Sequence, residues 1–203
     1  MKKKAKHIDF WFSIGSTYTY LTISRLRKII KQNKINIIYK PFNVRIIMLE
    51  MNNKPFSPSK RSKVKYMWRD IQRRAEVHGI PVPLSSAPFP ISNIELANQI
   101  ALVGNDEGWI LKYLEQTYHH WIINGFLPGE ERNLFYTFNN LKLNQGKVLK
   151  TALSLSMKKN LIKQTDIAKN KGIFGSPTFL VGKEIFWGDD RFEDAIRWYN
   201  RNL

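Results

Sequence analysis

The order of hydrophobic and polar positions predicts a strand, a helix and a second strand at the start of the chain. Residues 7 to 13 form a short aromatic-rich run that stops before Gly15, which is typical of a buried strand. Apolar residues then recur every three or four positions over 17 to 33, which predicts a helix. Ile35 to Lys40 reads as a second strand that ends at Pro41. These 42 residues therefore form a βαβ unit with parallel strands and a right-handed crossover.

The middle of the chain lacks strand patterns and is predicted to be mostly helical. Residues 42 to 58 read as a loop because they contain two asparagines in a row and two prolines close together. Four prolines make residues 80 to 91 an extended loop. Helical periodicity recurs in five segments, at about residues 59 to 78, 92 to 103, 107 to 124, 130 to 139 and 147 to 171.

The end of the chain returns to strands. Residues 178 to 181 and 184 to 187 are short β-rich runs separated by Gly182 and Lys183, which predicts a hairpin. A final amphipathic helix is predicted over residues 189 to 201.

This succession of elements predicts an α/β, thioredoxin-like fold with a large α-helical insertion between the βαβ and ββα halves. The thioredoxin-like domain would consist of residues 1 to 42 and 172 to 203, and residues 43 to 171 would be the helical insertion domain.

Composition is that of a folded protein without redox chemistry of its own. Hydrophobic residues make up 43% of the 203 positions, which is enough for a substantial core. The chain has no cysteine, so it forms no disulfide and supplies no thiolate. No apolar stretch is long enough for a membrane span, and the basic start lacks the apolar segment of an export signal. We therefore predict a cytoplasmic protein with no membrane partner.

Positive charge is concentrated in the first 80 residues. They contain 19 Lys and Arg against 4 Asp and Glu, whereas residues 81 to 203 contain 14 against 12, within a net charge of +17. Such a surface could bind nucleic acid or an anionic membrane. However, 22 Lys, 23 Ile and 17 Asn against only 8 Ala are typical of an AT-rich genome. We therefore predict that nucleic acid is not a functional partner, although a basic half favours small anionic ligands.

Two segments are candidates for chemistry. Ser16 lies where the first strand joins the first helix, so its hydroxyl and the helix N–H groups could stabilise an anion such as a thiolate. Serine is also a preferred N-cap, so this segment taken alone favours simple capping of the helix. The second segment is Ser176-Pro177, just before a strand. A cis bond there would turn the Ser176 N–H and C=O outward, where they could pair with a bound peptide.

Other catalytic classes find little support in the sequence. His119 and His120 are adjacent on a helix and point about 100° apart, so they cannot easily share a metal ion. No glycine-rich phosphate loop is present, and Ser16 lacks the context of a hydrolase nucleophile. We therefore predict no metal site.

Three segments carry a family resemblance. Asp9 to Phe12, Ser16 to Leu21 and above all Gly172 to Arg191 resemble the 2-hydroxychromene-2-carboxylate isomerase family. That family is similar to kappa-class glutathione transferases, within the DsbA-like branch of the thioredoxin superfamily. The resemblance extends over nearly the whole chain and includes Lys40 to Phe42, Asn53 to Pro55, Lys63 to Asp70 and the prolines between 81 and 90.

The resemblance implies a glutathione site. Ser16 holds the place of the first cysteine of a C-x-x-C motif and would hydrogen-bond the glutathione sulfur, lowering the pKa of its thiol. Asn53 and Lys63 would bind the glycyl end or the substrate side. The backbone of Ser176, before Pro177, would pair with the cysteinyl part.

The resemblance also implies that Asp189 and Asp190 bind the γ-glutamyl group. Asp189 stands where the family has a neutral residue, so it would either repel the glutamyl carboxylate or hold the glutamyl ammonium. Thr17 stands where the family has a proline.

The implied activity is a glutathione-dependent isomerisation of a small aromatic-derived substrate, in a homodimeric enzyme. Glutathione would add to an activated double bond, allow rotation and then leave. The alternatives are a conjugating glutathione transferase and, outside enzymes, a basic nucleic-acid-binding protein on the same fold. We expect the substrate pocket to be walled by the helical insertion, through Tyr66, Trp68, Pro88 to Pro90 and Trp121.

Overall fold

The centre of the molecule is a four-stranded mixed sheet. The computed structural model describes residues 6–53 and 60–201. Its strands are β1 (Ile8–Phe12), β2 (Ile37–Pro41), β3 (Thr178–Val181) and β4 (Glu184–Trp187), in the order β2-β1-β3-β4. β1 is parallel to β2 and antiparallel to β3, and β3 is antiparallel to β4. The βαβ and ββα units thus share one sheet, which confirms the predicted thioredoxin-like fold.

Helices make up most of the remaining described chain. They are α1 (Thr17–Asn33), α2 (Val44–Glu50), α3 (Arg61–His78), α4 (Ile94–Asp106), α5 (Ile110–Ile122), α6 (Glu131–Leu141), α7 (Gln145–Ala152), α8 (Leu155–Asn170) and α9 (Phe192–Arg201). A 3₁₀ turn, Asp189–Arg191, precedes α9, so the predicted final helix begins as a tighter turn. Helices α2 to α8 lie between β2 and β3 in sequence, where the insertion was predicted, but the division into two domains stays a prediction.

The predicted loop over residues 42 to 58 was wrong in its first half, which contains α2. Asn43 caps this helix, because its side-chain oxygen accepts from the Arg45 N–H at 3.1 Å. Val44 and Ile47 of α2 are buried in the core. The proline-rich second half, residues 54 to 59, lies outside the described residues.

The predicted helix over residues 147 to 171 is two helices. The chain leaves helical geometry at Ser154, whose backbone is extended. The Ser154 hydroxyl donates to the Thr151 carbonyl at 2.7 Å and accepts from the Met157 N–H at 3.3 Å. The serine therefore ends one helix and caps the next.

Apolar side chains pack on both faces of β1. Phe10 stacks on Phe179 of β3, and Phe179 stacks on Phe192 of α9, with centroids 5.3 and 4.3 Å apart. On the other face, Trp11 packs with Phe42 and with residues of α2 and α8. The sheet is thus covered by helices on both sides, and this leaves the carboxyl end of β1 and the start of α1 as the place where a site can open. Within the described residues, no helix has both the length and the apolar character needed to cross a bilayer.

Candidate active site

A pocket of about 420 Å³ opens at the N-terminus of α1. Its size is within the range of small-molecule sites. The lining residues come from the β1–α1 turn, α2 and the residues after it, the start of α3, the loop before α4, the first residue of α4, the segment before β3 and the end of β4. They are Gly15, Ser16, Thr17, Tyr18, Val44, Arg45, Met48, Met51, Asn53, Lys60, Lys63, Val64, Tyr66, Met67, Phe89, Ile94, Phe174, Gly175, Ser176 and Trp187.

Ser16 occupies the N-cap position of α1 but does not cap the helix. Its backbone is extended, and its side chain makes no capping hydrogen bond. The hydroxyl instead donates to the Ser176 carbonyl oxygen at 2.6 Å, across 160 positions in sequence. The two segments singled out in the sequence therefore meet in the pocket, and the capping alternative is excluded. Since the side chain leaves the first-turn N–H groups uncapped, the positive end of α1 is open to an anion.

Ser176 is held in place by the hydrogen bonds that its side chain makes. Its hydroxyl oxygen accepts from the Ser13 N–H at 2.8 Å and lies 3.1 Å from the Thr19 hydroxyl oxygen. The Ser176–Pro177 bond is cis, as predicted from the family resemblance. The Ser176 N–H has no acceptor among the described residues, whereas its carbonyl accepts from Ser16. The Ser176 backbone thus offers a donor and an acceptor at the pocket wall.

Two buried side chains that were not predicted hold the β1–α1 turn in place. The Asn98 side chain accepts from the Ile14 N–H at 2.8 Å and donates to the Ile94 carbonyl at 2.7 Å. The Tyr118 hydroxyl donates to the Ser16 carbonyl at 3.1 Å. Burial raises the pKa of Tyr118, so this phenol remains a neutral donor. Both side chains act on the backbone around Ser16 and not on a ligand.

The described wall of the pocket is positively charged. Arg45, Lys60 and Lys63 line it, and no Asp or Glu is among the described lining residues. Arg45 donates to the Ile91 carbonyl at 2.7 Å, and partial burial lowers the pKa of its guanidinium. Lys60 donates to the Asn53 side-chain oxygen at 3.0 Å. Three cations on one pocket wall attract anions, so this arrangement favours a negatively charged ligand.

Tyr18 lines the pocket but is not available as a base. Its hydroxyl donates to a carboxylate oxygen of Asp70 at 2.9 Å. Burial, and then this hydrogen bond, raise the pKa of Tyr18 well above its usual value. The phenol therefore stays protonated at neutral pH.

The remaining walls are apolar. Methionines 48, 51 and 67 line the pocket together with Phe89 and Tyr66. The Phe89 ring is supported from behind by Trp68, edge-on at 6.0 Å, and by Trp121, stacked at 6.4 Å. Trp68 and Trp121 therefore lie behind the pocket wall that they were predicted to form. Tyr66 and Phe89 line the pocket, as predicted.

An aromatic pair forms the rim. Phe174 and Trp187 contact edge-on with their centroids 4.8 Å apart, and both are exposed. Gly175 makes this arrangement possible, because a Cβ there would lie 2.1 Å from the indole nitrogen of Trp187. A larger residue at position 175 would force the indole to move.

The aspartates predicted to bind the γ-glutamyl group do not line the pocket. The Asp189 carboxylate is fully buried and accepts from Arg25 at 2.9 Å, from Arg74 at 2.8 Å and from the Thr22 hydroxyl at 2.9 Å. It is therefore not a free carboxylate that repels a ligand or holds an ammonium, which corrects the expectation for this residue. Asp190 is exposed and lies 3.6 Å from Arg191.

The structure thus brings four of the seven predicted residues to one pocket. Ser16, Asn53, Lys63 and Ser176 line it, whereas Pro177 is buried behind the cis bond and the two aspartates point elsewhere. The combination of an uncapped helix end, a hydroxyl donor and nearby cations can stabilise a thiolate and a carboxylate at the same time. Among the described residues, no group of three or more metal-ligating side chains comes together.

Comparison with known proteins finds relatives that are similar in sequence. The chain is 27% identical over 192 residues to the 2-hydroxychromene-2-carboxylate isomerase of Sphingobium xenophagum, covering 93% of this chain and 95% of that protein. It is 26% identical to the enzyme of the same name from Pseudomonas putida, with 91% and 89% covered. Both alignments span nearly the whole of each protein.

Solved structures share the fold. A 2-hydroxychromene-2-carboxylate isomerase superposes with a TM-score of 0.84 at 23% identity, covering 96% of this chain and 95% of that chain. The cytosolic disulfide reductase DsbM from Pseudomonas aeruginosa, solved with GSH, superposes with a TM-score of 0.64 at 12% identity, covering 97% and 98%. A family model described as a DSBA-like thioredoxin domain matches residues 7–197. The chain therefore belongs to the DsbA-like thioredoxin domain family.

Proposed function

We propose that this protein is a glutathione-dependent isomerase that acts on 2-hydroxychromene-2-carboxylate or a similar aromatic catabolite. The observation that carries the proposal is the uncapped N-terminus of α1, where the Ser16 hydroxyl faces a pocket lined by three cations and by no described carboxylate. The isomerase relatives, similar over more than nine-tenths of the chain, support the reaction class.

In the proposed first step, Ser16 and the first-turn N–H groups of α1 stabilise the glutathione thiolate. A hydroxyl donor and the positive end of a helix both favour the charged form of a sulfur, so they lower the pKa of the bound thiol, whose proton passes to solvent. The Ser176 backbone pairs with the cysteinyl residue of glutathione, and Asn53 and Lys63 bind one of its carboxylate ends. Glutathione is the only cofactor in the proposal.

In the second step the thiolate attacks the substrate. Its sulfur adds to the activated carbon–carbon double bond, and the π electrons move onto the conjugated carbonyl. The former double bond is now single and rotates. The electrons then return, the carbon–sulfur bond breaks, and glutathione leaves unchanged from the isomerised product. The apolar wall around Phe89 and Met48 suits the aromatic part of the substrate, and Arg45 suits its carboxylate.

Binding of glutathione tests the proposal at the ligand side. We expect one glutathione per chain, at micromolar to millimolar strength, in titration calorimetry. Lys63→Met should weaken binding by about 5- to 10-fold, because a cation that pairs with a ligand carboxylate is lost. Lys65→Met is the matched control, since Lys65 lies on the same helix, is exposed and does not line the pocket. No heat with the wild type, or equal losses in both variants, would count against the site.

Product analysis separates isomerisation from conjugation. With substrate and glutathione present, we expect the isomerised substrate and unconsumed glutathione. If the elimination step does not follow, the same site makes a stable glutathione adduct, and glutathione is consumed in proportion. The latter result would support a kappa-class-like conjugating transferase and reject the isomerase.

We expect the strong positive charge of residues 1 to 80 to be incidental to function. Diffuse attraction to a polyanion is largely screened beyond about 10 Å at 0.1 M salt. Retention on DNA at low salt is therefore expected from charge alone. At 0.15 M salt we expect no submicromolar binding to DNA or RNA in a fluorescence anisotropy titration. Tight, structure-selective binding there would favour the nucleic-acid-binding alternative.

We also propose that the protein is cytoplasmic and forms a homodimer.

A further inference from the structure

The proton of the Ser16 hydroxyl is already in use. It is donated to the Ser176 carbonyl oxygen at 2.6 Å. A serine hydroxyl has one proton, so it cannot be given to this carbonyl and to a ligand sulfur at the same time. Stabilisation of a thiolate by Ser16 therefore requires that the hydroxyl first leave the carbonyl.

The Ser176 carbonyl cannot move together with the Ser16 hydroxyl. The side chain of Ser176 is held by the Ser13 N–H at 2.8 Å and lies 3.1 Å from the Thr19 hydroxyl oxygen. The mobile part is the hydroxyl of Ser16, which turns about a single Cβ–Oγ bond. When it turns, the carbonyl loses the one donor that it has among the described residues, and a part-buried acceptor without a donor is costly.

We propose that the amide N–H of a peptide thiol replaces Ser16 as the donor to the Ser176 carbonyl, which frees the Ser16 O–H to donate a hydrogen bond to the thiolate. This inference rests on the proposed function and adds a selection rule to it. The Ser176 N–H, which has no described acceptor, can receive the carbonyl of the same ligand residue. Ligand and protein then exchange hydrogen bonds without leaving a buried polar group unpaired.

The consequence is selectivity through reactivity. In a cysteinyl residue, the amide N–H and the CH₂SH group are attached to the same carbon. A thiol of this kind receives a hydrogen bond from Ser16 on its sulfur. A thiol of the same size without this N–H leaves Ser16 on the carbonyl and is acidified only by the end of α1. Ser176 is then a positioning residue that acts through Ser16, and the site discriminates between thiols even when both are bound.

The test compares glutathione with a depsipeptide of the same shape, in which an ester oxygen replaces the cysteinyl N–H. Each is bound at saturating concentration, fixed by calorimetry, and its thiol is titrated by thiolate absorbance near 240 nm. On the wild type, the pKa of bound glutathione should lie at least about one unit below that of the bound depsipeptide. On Ser16→Ala this difference in pKa should shrink to less than about 0.3 units, because the variant has no hydroxyl at position 16 to donate to the thiolate.

The outcomes are distinct. Equal acidification of both ligands on the wild type would overturn the exchange but leave the proposed function standing. A difference that persists in Ser16→Ala would show that the N–H acts without Ser16 and would also overturn it. If bound glutathione is no more acidic than free glutathione, both the exchange and the proposed function fail. The depsipeptide should still bind, within about 10-fold of glutathione, and its failure to bind at 100-fold higher concentration would contradict the exchange.

Discussion

Ser16→Ala is expected to lower kcat of the isomerisation by about 10²- to 10³-fold, which is the usual effect of removing one donor to a developing anion. The variant should fold normally, because Ser16 does not cap α1 and its side chain makes one hydrogen bond, to the Ser176 carbonyl. Calorimetric affinity for glutathione should change far less than kcat, since the backbone and carboxylate contacts of the ligand remain. The measurement is steady-state kinetics with saturating glutathione.

The matched control is Ser24→Ala. Ser24 is on the same helix, is exposed and donates to the Tyr20 carbonyl, so the same chemical change is made outside the pocket. Its rate should stay close to that of the wild type. A wild-type rate in Ser16→Ala, or an equal loss in both variants, would remove Ser16 from the mechanism.

Ser16→Cys adds a separate readout. The residue three positions later is Thr19, which cannot form a disulfide. The variant should therefore show no dithiol oxidase activity in an insulin or model-peptide assay. Because the chain has no other cysteine, gain of such activity would mean that a thiol from outside the chain resolves the mixed disulfide, and it would contradict this prediction.

Asp189→Asn is expected to destabilise the fold by about 3 kcal/mol, because it removes a buried carboxylate that pairs with both Arg25 and Arg74. The Arg25 side chain is only 9% exposed, so water cannot replace the lost carboxylate without local opening, although the ion pair of Arg25 with Glu193 remains. For a chain of this size the loss corresponds to a fall in Tm of about 6 to 12 °C. Thermal unfolding followed by circular dichroism measures it.

Asp190→Asn is the control for this change. Asp190 is the neighbouring aspartate, but its side chain is 48% exposed and lies 3.6 Å from an exposed arginine. Surface pairs of this kind contribute about 0 to 1 kcal/mol, so its Tm should barely move. If Asp189→Asn instead keeps the wild-type Tm and tightens glutathione binding, then Asp189 repels the ligand, which is one of the two alternatives that the sequence left open.

The sequence was sufficient for elements whose pattern is local. The hairpin of β3 and β4 has a two-residue turn between short β-rich runs, and α1 has clear helical periodicity, so both were predicted within a residue or two. The helix α2 was missed because it is only seven residues long and lies beside a proline-rich stretch. Its stability comes from the cap at Asn43 and from burial against the sheet, which are not visible in a helical repeat.

The parts of the site that are marked by a glycine turn or a proline were predictable from the sequence. The parts that depend on contacts between residues far apart in sequence were not. Gly15-Ser16 and Ser176-Pro177 can be recognised in the sequence because turns and prolines punctuate it. The roles of Asn98 and Tyr118 depend on contacts 84 to 105 positions away, at the turn after β1. A buried asparagine in the apolar repeat of α4 was the one available signal. The partners of Asp189 are likewise more than 100 residues away, so its acidic character alone suggested a ligand.

The most direct test of the proposed function is the rate of isomerisation of 2-hydroxychromene-2-carboxylate by protein freed of small thiols. We predict no measurable rate without thiol, full activity on addition of glutathione, and none with S-methylglutathione, which fits the same contacts but has no thiolate to add. Glutathione should be recovered unchanged at the end of the reaction. A thiol-free protein that isomerises the substrate at the rate seen with glutathione would contradict the account.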